Sequence, residues 1–197
     1  MKASGEVRVG FIGSGFARRV QLPGLQFVPG ARATAVASGH RSNAEAVARE
    51  FGLRAYNDGE ALARASDVDL VVVSSTPDSH ARYAIAALEA GKHVLCEKPM
   101  AIDAFEAAKM VAATEQHPDS VAWVDHELRY EPNRRRAREL IRSRAIGDLQ
   151  HTTGEVVSGH RPHNATLVVP FVDECLSQTG DVGDLAPAPE AAQIDEV

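Results

Sequence analysis

VRVGFIGSGF, residues 7–16, is a compact apolar run that stops at two glycines one residue apart. VRVGFI (7–12), apolar apart from Arg8 and bounded by glycine, suits a strand buried on both faces, as in a parallel sheet. Gly13-Ser14-Gly15 then provides a tight turn, and a helix is expected from about Phe16 to the FVPGA stretch, kinked or shortened by Pro23.

The same alternation continues along the chain. Further strands are expected at 32–38 (RATAVAS), 69–75 (DLVVVSS), 93–97 (HVLCE) and 121–126 (VAWVDH). Between them, Ser42 and Glu45 stand at capping-box spacing and Gly52 is a stop signal, which brackets a helix. DGEALARA (58–65) suits a short helix, and another, 79–90, ends at Gly91. Asp103 and Glu106 form a second capping box for a helix reaching Pro118. Strands alternating with helices predict an α/β fold, a doubly wound parallel sheet of Rossmann-like type over residues 1–124. EPNRRRARELIRSRAIG (131–147) reads as a helix whose arginines form a solvated face. With the alternating 148–159 segment it reads as part of a remnant of a second α+β domain, 125–163. Residues 164–197 are acidic and Pro/Ala-rich without period and are expected to be a flexible tail.

A doubly wound sheet takes ligands at the carboxyl ends of its strands. The unusual residues fall there: Gly13–Gly15, then Ser38, Gly39, His40 and Arg41, then Ser75, Thr76 and Pro77, then Glu97, Lys98 and Pro99, and finally His126 to Arg129.

The formal net charge of −6 disfavours a nucleic-acid partner, whose backbone it would repel. Only Cys96 and Cys175 occur, so neither a disulfide framework nor zinc spacing is present, which suits a reducing cytoplasm. His151, His160 and His163 have no matching cysteine or carboxylate spacing, and no metal is expected. No apolar stretch reaches the length of a membrane helix.

The first glycine turn resembles a dinucleotide fingerprint, in which backbone N–H groups approach a pyrophosphate at a helix N-terminus. Gly13, Ser14, Gly15, Phe16 and Ala17 make up that loop. The third small position falls on Arg18, with Ala17 one residue early, so the close helix–strand contact must be arranged differently. After the second strand there is no acid to hold a ribose diol. Ser38, His40 and Arg41 fit a 2′-phosphate better, so NADP is preferred to NAD; the plain alternative for Arg41 is a solvated loop residue. His80, early in the helix after Pro77, is a further cofactor-side candidate, with a capping or surface role as its alternative.

VGFIGSGFARRVQLPGL, VVVSSTPDSHARYAIAALEAGKHVLCEKPMA and DHELRYEPNRRRARELIRSRAIGDL together resemble the N-terminal half of the Gfo/Idh/MocA oxidoreductases, over residues 7–159. The Glu97-Lys98-Pro99 triplet at a strand end is the most specific element. The resemblance implies that Ser75, Thr76 and Pro77 line the nicotinamide half of a bound dinucleotide and that Lys98 sits beside nicotinamide and substrate. An ammonium there can orient a substrate hydroxyl and assist its proton transfer. Glu97 would neutralise and position Lys98, with an unusual peptide geometry at the triplet. The family's second domain carries an Asp-x-x-x-His motif, and this chain has no histidine after His163. Three readings follow: an oxidoreductase of a sugar- or polyol-like hydroxy compound whose site is completed by another subunit or by the tail, a non-catalytic nucleotide-binding or interaction module, and a truncated relic. Unpaired strand edges near HTTGEVV (151–157) would favour self-association.

Overall fold

The structure, a computed structural model, describes residues 5–147. The chain divides into two compact units, the first ending at Glu127 and the second beginning at Leu128. The first unit extends past residue 124 because strand β6, Ala122–Asp125, takes Asp125 into the sheet opposite Glu97.

Six parallel strands form one sheet: β1 (Val7–Ile12), β2 (Ala31–Ala37), β3 (Arg54–Tyr56), β4 (Leu70–Val73), β5 (His93–Glu97) and β6. Their order across the sheet is β3-β2-β1-β4-β5-β6, so the winding reverses between β1 and β4. The expected doubly wound fold is the one observed. Side chains alternate between two cores: Val9, Phe11, Val36 and Val72 pack on one face, Ile12, Ala35, Ala37, Val71 and Val73 on the other. Burial on both faces explains why the strands read as continuous apolar runs.

Strand β3 has no counterpart in the sequence reading. It is three residues long at the sheet edge, and Arg-Ala-Tyr carries no apolar run. The helices are α1 (Leu22–Leu25), α2 (Arg41–Phe51), α3 (Gly59–Ala63), α4 (Pro77–Glu89), α5 (Ala104–Gln116) and α6 (Pro132–Arg142). The Asp103 cap forms: its carboxylate accepts the Glu106 N–H at 2.8 Å. The Ser42 cap does not. Helix α2 starts two residues earlier than a Ser42 cap implies, at Arg41, with His40 in the N-cap position, and Glu45 pairs with Arg41 (2.7 Å) instead.

Ahead of α1 the helix widens into a π turn, Ala17–Gln21, in which the Leu22 N–H bonds to the Ala17 carbonyl five residues back. Pro23 follows, without an N–H to continue a four-residue ladder. In the second unit, α6 is capped by the Glu131 carboxylate, which accepts the Arg134 N–H at 2.9 Å, and none of its residues is buried. The residues read as the 148–159 strand and as the 164–197 tail lie outside the described residues.

Candidate functional site

The carboxyl ends of β1, β2 and β4 surround a cavity of about 450 Å³ at the point where strand order reverses. Its walls include Gly13, Ser14, Gly15 and Phe16 from the first turn, Ser38, Gly39 and His40 from the second, and Ser74, Ser75 and Thr76 from the third. Three separate stretches singled out in the sequence therefore meet in one place.

The two glycines of the first turn have different tasks. Gly13 has φ +114°, and a Cβ there would stand 2.3 Å from the Ser74 carbonyl oxygen, so a bare glycine lets β1 and β4 close up. A Cβ on Gly15 would meet no protein atom within 4 Å. That open side, at a helix start on the cavity wall, is where a ligand's phosphate can approach backbone N–H groups. Ser14 Oγ and Ser38 Oγ lie 2.9 Å apart and join the first two walls. Ser74, on the cavity wall, has a buried Oγ with no hydrogen-bond partner in the protein. These features fit a dinucleotide.

Ala17 lies behind the wall. It is fully buried between helix and sheet and supplies the close contact expected one residue later, while Arg18 turns outward to pair with Glu50 at 2.7 Å. Arg41 does not line the cavity; its guanidinium is exposed and held by Glu45. Pro77 is the first residue of α4, where its missing N–H costs nothing. His80 is neither a cap nor a surface group: it is 1% exposed, and both ring nitrogens face backbone carbonyls. Ile12, Gly59, Ser74, Ser79 and Tyr83, which no sequence motif marks, also line the cavity. Of these, Ser79 stands one helical turn beyond Ser75, and their hydroxyls are 2.6 Å apart.

The Glu97-Lys98-Pro99 triplet begins on the last residue of β5, the strand beside β4, and the Lys98–Pro99 peptide is cis. Its charges are arranged differently from expectation. The Lys98 ammonium pairs with Glu127 at 3.3 Å, whereas the Glu97 carboxylate accepts the Gln21 side-chain N–H at 3.0 Å and the Lys98 backbone N–H at 3.3 Å. The π turn carries Gln21. Burial, and then the neighbouring Asp125, push the Glu97 carboxyl above its ordinary range. Cys96, one residue before, is buried, and its thiol is pushed up to about 12.

The profile of an oxidoreductase family with an NAD-binding Rossmann fold, the Gfo/Idh/MocA family, matches residues 7–126. The chain belongs to this family. Inositol 2-dehydrogenase 3 of Saccharopolyspora erythraea is 34% identical over 142 residues, 72% of this chain and 42% of that protein. Inositol 2-dehydrogenase of Paracoccus denitrificans is 36% identical over 130 residues, 65% of this chain and 38% of that protein. A 3-ketoreductase from Actinomadura kijaniata, solved in complex with NADP and TDP-benzene, superposes with a TM-score of 0.63 at 31% identity over 70% of this chain and 42% of that one. The chain thus spans about two fifths of the length of these relatives. Among the described residues no helix is long and apolar enough to cross a membrane, and no cluster of three metal-ligating side chains occurs.

Proposed function

We propose that this chain binds a nicotinamide dinucleotide in the crevice between β1, β2 and β4 and forms the cofactor-holding half of an oxidoreductase acting on a sugar- or polyol-like hydroxy compound. The observation that carries the reading is the Gly13–Gly15 turn, closed against Ser74 on one side and open at Gly15 on the other, at the switch point of a 3-2-1-4-5-6 sheet. The dinucleotide, when bound, supplies the hydride acceptor or donor. The protein's part is to hold and orient. Gly15 and Ser14 receive the pyrophosphate, the unpartnered Ser74 hydroxyl offers a further polar contact, and Ser75 and Thr76 line the way toward the nicotinamide side.

Lys98 is the group we assign to the substrate. Its Nζ can hold a substrate hydroxyl and take up or return its proton, with Glu127 as its counter-charge. The names of the inositol dehydrogenase relatives support the substrate class. For the coenzyme, NADP(H) is preferred over NAD(H): Ser38, Gly39 and His40 carry no acid to meet a ribose diol, and Arg41 stands next to them. Release of the Arg41 guanidinium from Glu45 would make it available to a 2′-phosphate.

The test is a pair of titrations on Arg41→Ala. NADPH affinity should fall about tenfold or more, the scale of a charge-assisted contact, while NADH affinity stays within about twofold. Equal losses for both would remove the 2′-phosphate assignment.

A further inference from the structure

The described residues bury two polar side chains almost completely, Ser74 and His80; Ser74 faces the crevice and His80 does not. His80 lies in the first turn of α4, between two segments that the sheet no longer joins. The β4–β5 ladder ends at the Val73–Cys96 pair, and beyond it the two chains continue as Ser74-Ser75-Thr76 on one side and Glu97-Lys98-Pro99 on the other. The imidazole spans that gap. Its Nδ1 is 2.8 Å from the Pro99 carbonyl oxygen and its Nε2 is 3.1 Å from the Ser75 carbonyl oxygen.

Both neighbours are carbonyls, which only accept. A ring N–H must therefore donate in each hydrogen bond; the imidazolium can make both and the neutral ring one. Apolar packing needs no such arrangement, and a phenyl ring of similar size would offer neither carbonyl a donor. The near side of the same turn is tied separately, through the Glu97 carboxylate to Gln21. Lys98 thus stands between two anchors, one on each flanking residue.

We propose that His80 is a positioning residue: it pins the turn that carries Lys98 to the Ser75 wall of the crevice and so fixes where the Lys98 ammonium stands. The chemical importance of that position rests on the role assigned to Lys98 above, but the pinning itself does not.

The experiment reads each lysine separately in the cofactor-free protein. The rate of modification by an amine-reactive reagent is followed by peptide mass spectrometry in the native protein, in His80→Phe and in His80→Gln. Lys92, whose Nζ donates to the Val68 carbonyl at 2.8 Å, and Lys109, over the Phe105 ring, serve as internal controls away from the turn. In His80→Phe, Lys98 should react about fivefold faster, the scale of one lost hydrogen bond, with Lys92 and Lys109 unchanged. In His80→Gln, whose amide can again donate, the Lys98 rate should return to within about twofold of the native one. If His80→Phe does not fold, the glutamine variant decides alone: a native Lys98 rate supports the proposal, and a rate as high as in urea-unfolded protein overturns it. An unchanged Lys98 rate in folded His80→Phe, or an equal rise at all three lysines, would also overturn it, the second by reducing His80 to general stability. NADPH titration of the native protein is run alongside; failure to bind would count against the dinucleotide reading and leave the lysine rates as a test of His80.

Discussion

Gly13→Ala and Gly15→Ala are the same chemical change two residues apart, and the structure predicts opposite consequences. At Gly13 the new methyl would lie 2.3 Å from the Ser74 carbonyl oxygen and 2.6 Å from the Ser75 nitrogen, in a backbone with φ +114°. Neither neighbour is a side chain that could swing away, so β1 and the end of β4 must separate. Strained φ and overpacking each cost about 1–3 kcal/mol, so a loss of about 2–6 kcal/mol is expected from a domain stability of about 5–15 kcal/mol. With a urea dependence of about 2 kcal/mol per molar, the unfolding midpoint should fall by about 1–3 M. At Gly15 the methyl meets nothing in the protein and sits at a helix start, so stability should be unchanged or slightly higher. It would instead occupy the side from which a phosphate approaches. Contacts between backbone N–H groups and a charged oxygen are worth about 1.5–3 kcal/mol each, so NADPH affinity should fall at least about tenfold. Urea unfolding followed by circular dichroism and a fluorescence titration with NADPH measure the two effects. A Gly13→Ala midpoint within about 0.3 M of the native one would refute the packing argument, and native affinity in Gly15→Ala would refute the phosphate assignment.

Three further outcomes follow from other parts of the molecule. The two-point hydrogen bond from Arg8, at 2.9 and 2.6 Å, holds the Asp69 carboxyl at about 2, below its ordinary 3.8. A lowered folded value gives stability that is present above about pH 4 and lost as pH falls toward 2; because the pair is partly exposed, Asp69→Asn should cost only about 1 kcal/mol at pH 7, with native and variant proteins converging near pH 2 in acid unfolding curves. Cys96, buried with its thiol pushed up to about 12, should resist iodoacetamide at pH 8 until the protein unfolds, as peptide mass spectrometry would reveal; rapid labelling of the folded protein would contradict its burial. Lys98→Met should leave NADPH affinity within about twofold and abolish any polyol-dependent NADPH formation, since the loss of a proton-transfer group typically costs about 10²–10⁴ in rate; unchanged turnover would remove Lys98 from the chemistry.

What the sequence made legible is what local rules govern. The apolar runs of β1, β4 and β5 lie in a sheet buried on both faces, so the pattern needs no context to be read. The Asp103 cap and the stop at Gly52, with φ +69°, are likewise local. The differences arise where another partner competes with the one the sequence suggests. Glu45 is drawn to Arg41 and leaves Ser42 inside the helix; β3 pairs with the edge that β2 offers; and the Lys98 charge is met by Glu127, just past the adjacent strand β6, rather than by its chain neighbour. Among the candidate site residues, those immediately after β1, β2 and β4 line the cavity, as the sheet topology requires, whereas Glu97 and Lys98 at the end of β5 do not. Ser74 was hidden by its place in the apolar run LVVVSS, and Tyr83 by its distance from any strand end; helical spacing from Ser75 to Ser79 was the one available signal for Ser79. His80 could not have been placed from sequence, because its two partners are backbone carbonyls five and nineteen residues away.

The central claim is that the crevice at the β1–β4 switch point holds a nicotinamide dinucleotide. Calorimetric titration of the purified protein with NADPH and, separately, with NADH tests it most directly. Saturable one-site binding is expected, tighter for NADPH than for NADH; absence of binding to both would mean that the crevice does not hold the cofactor.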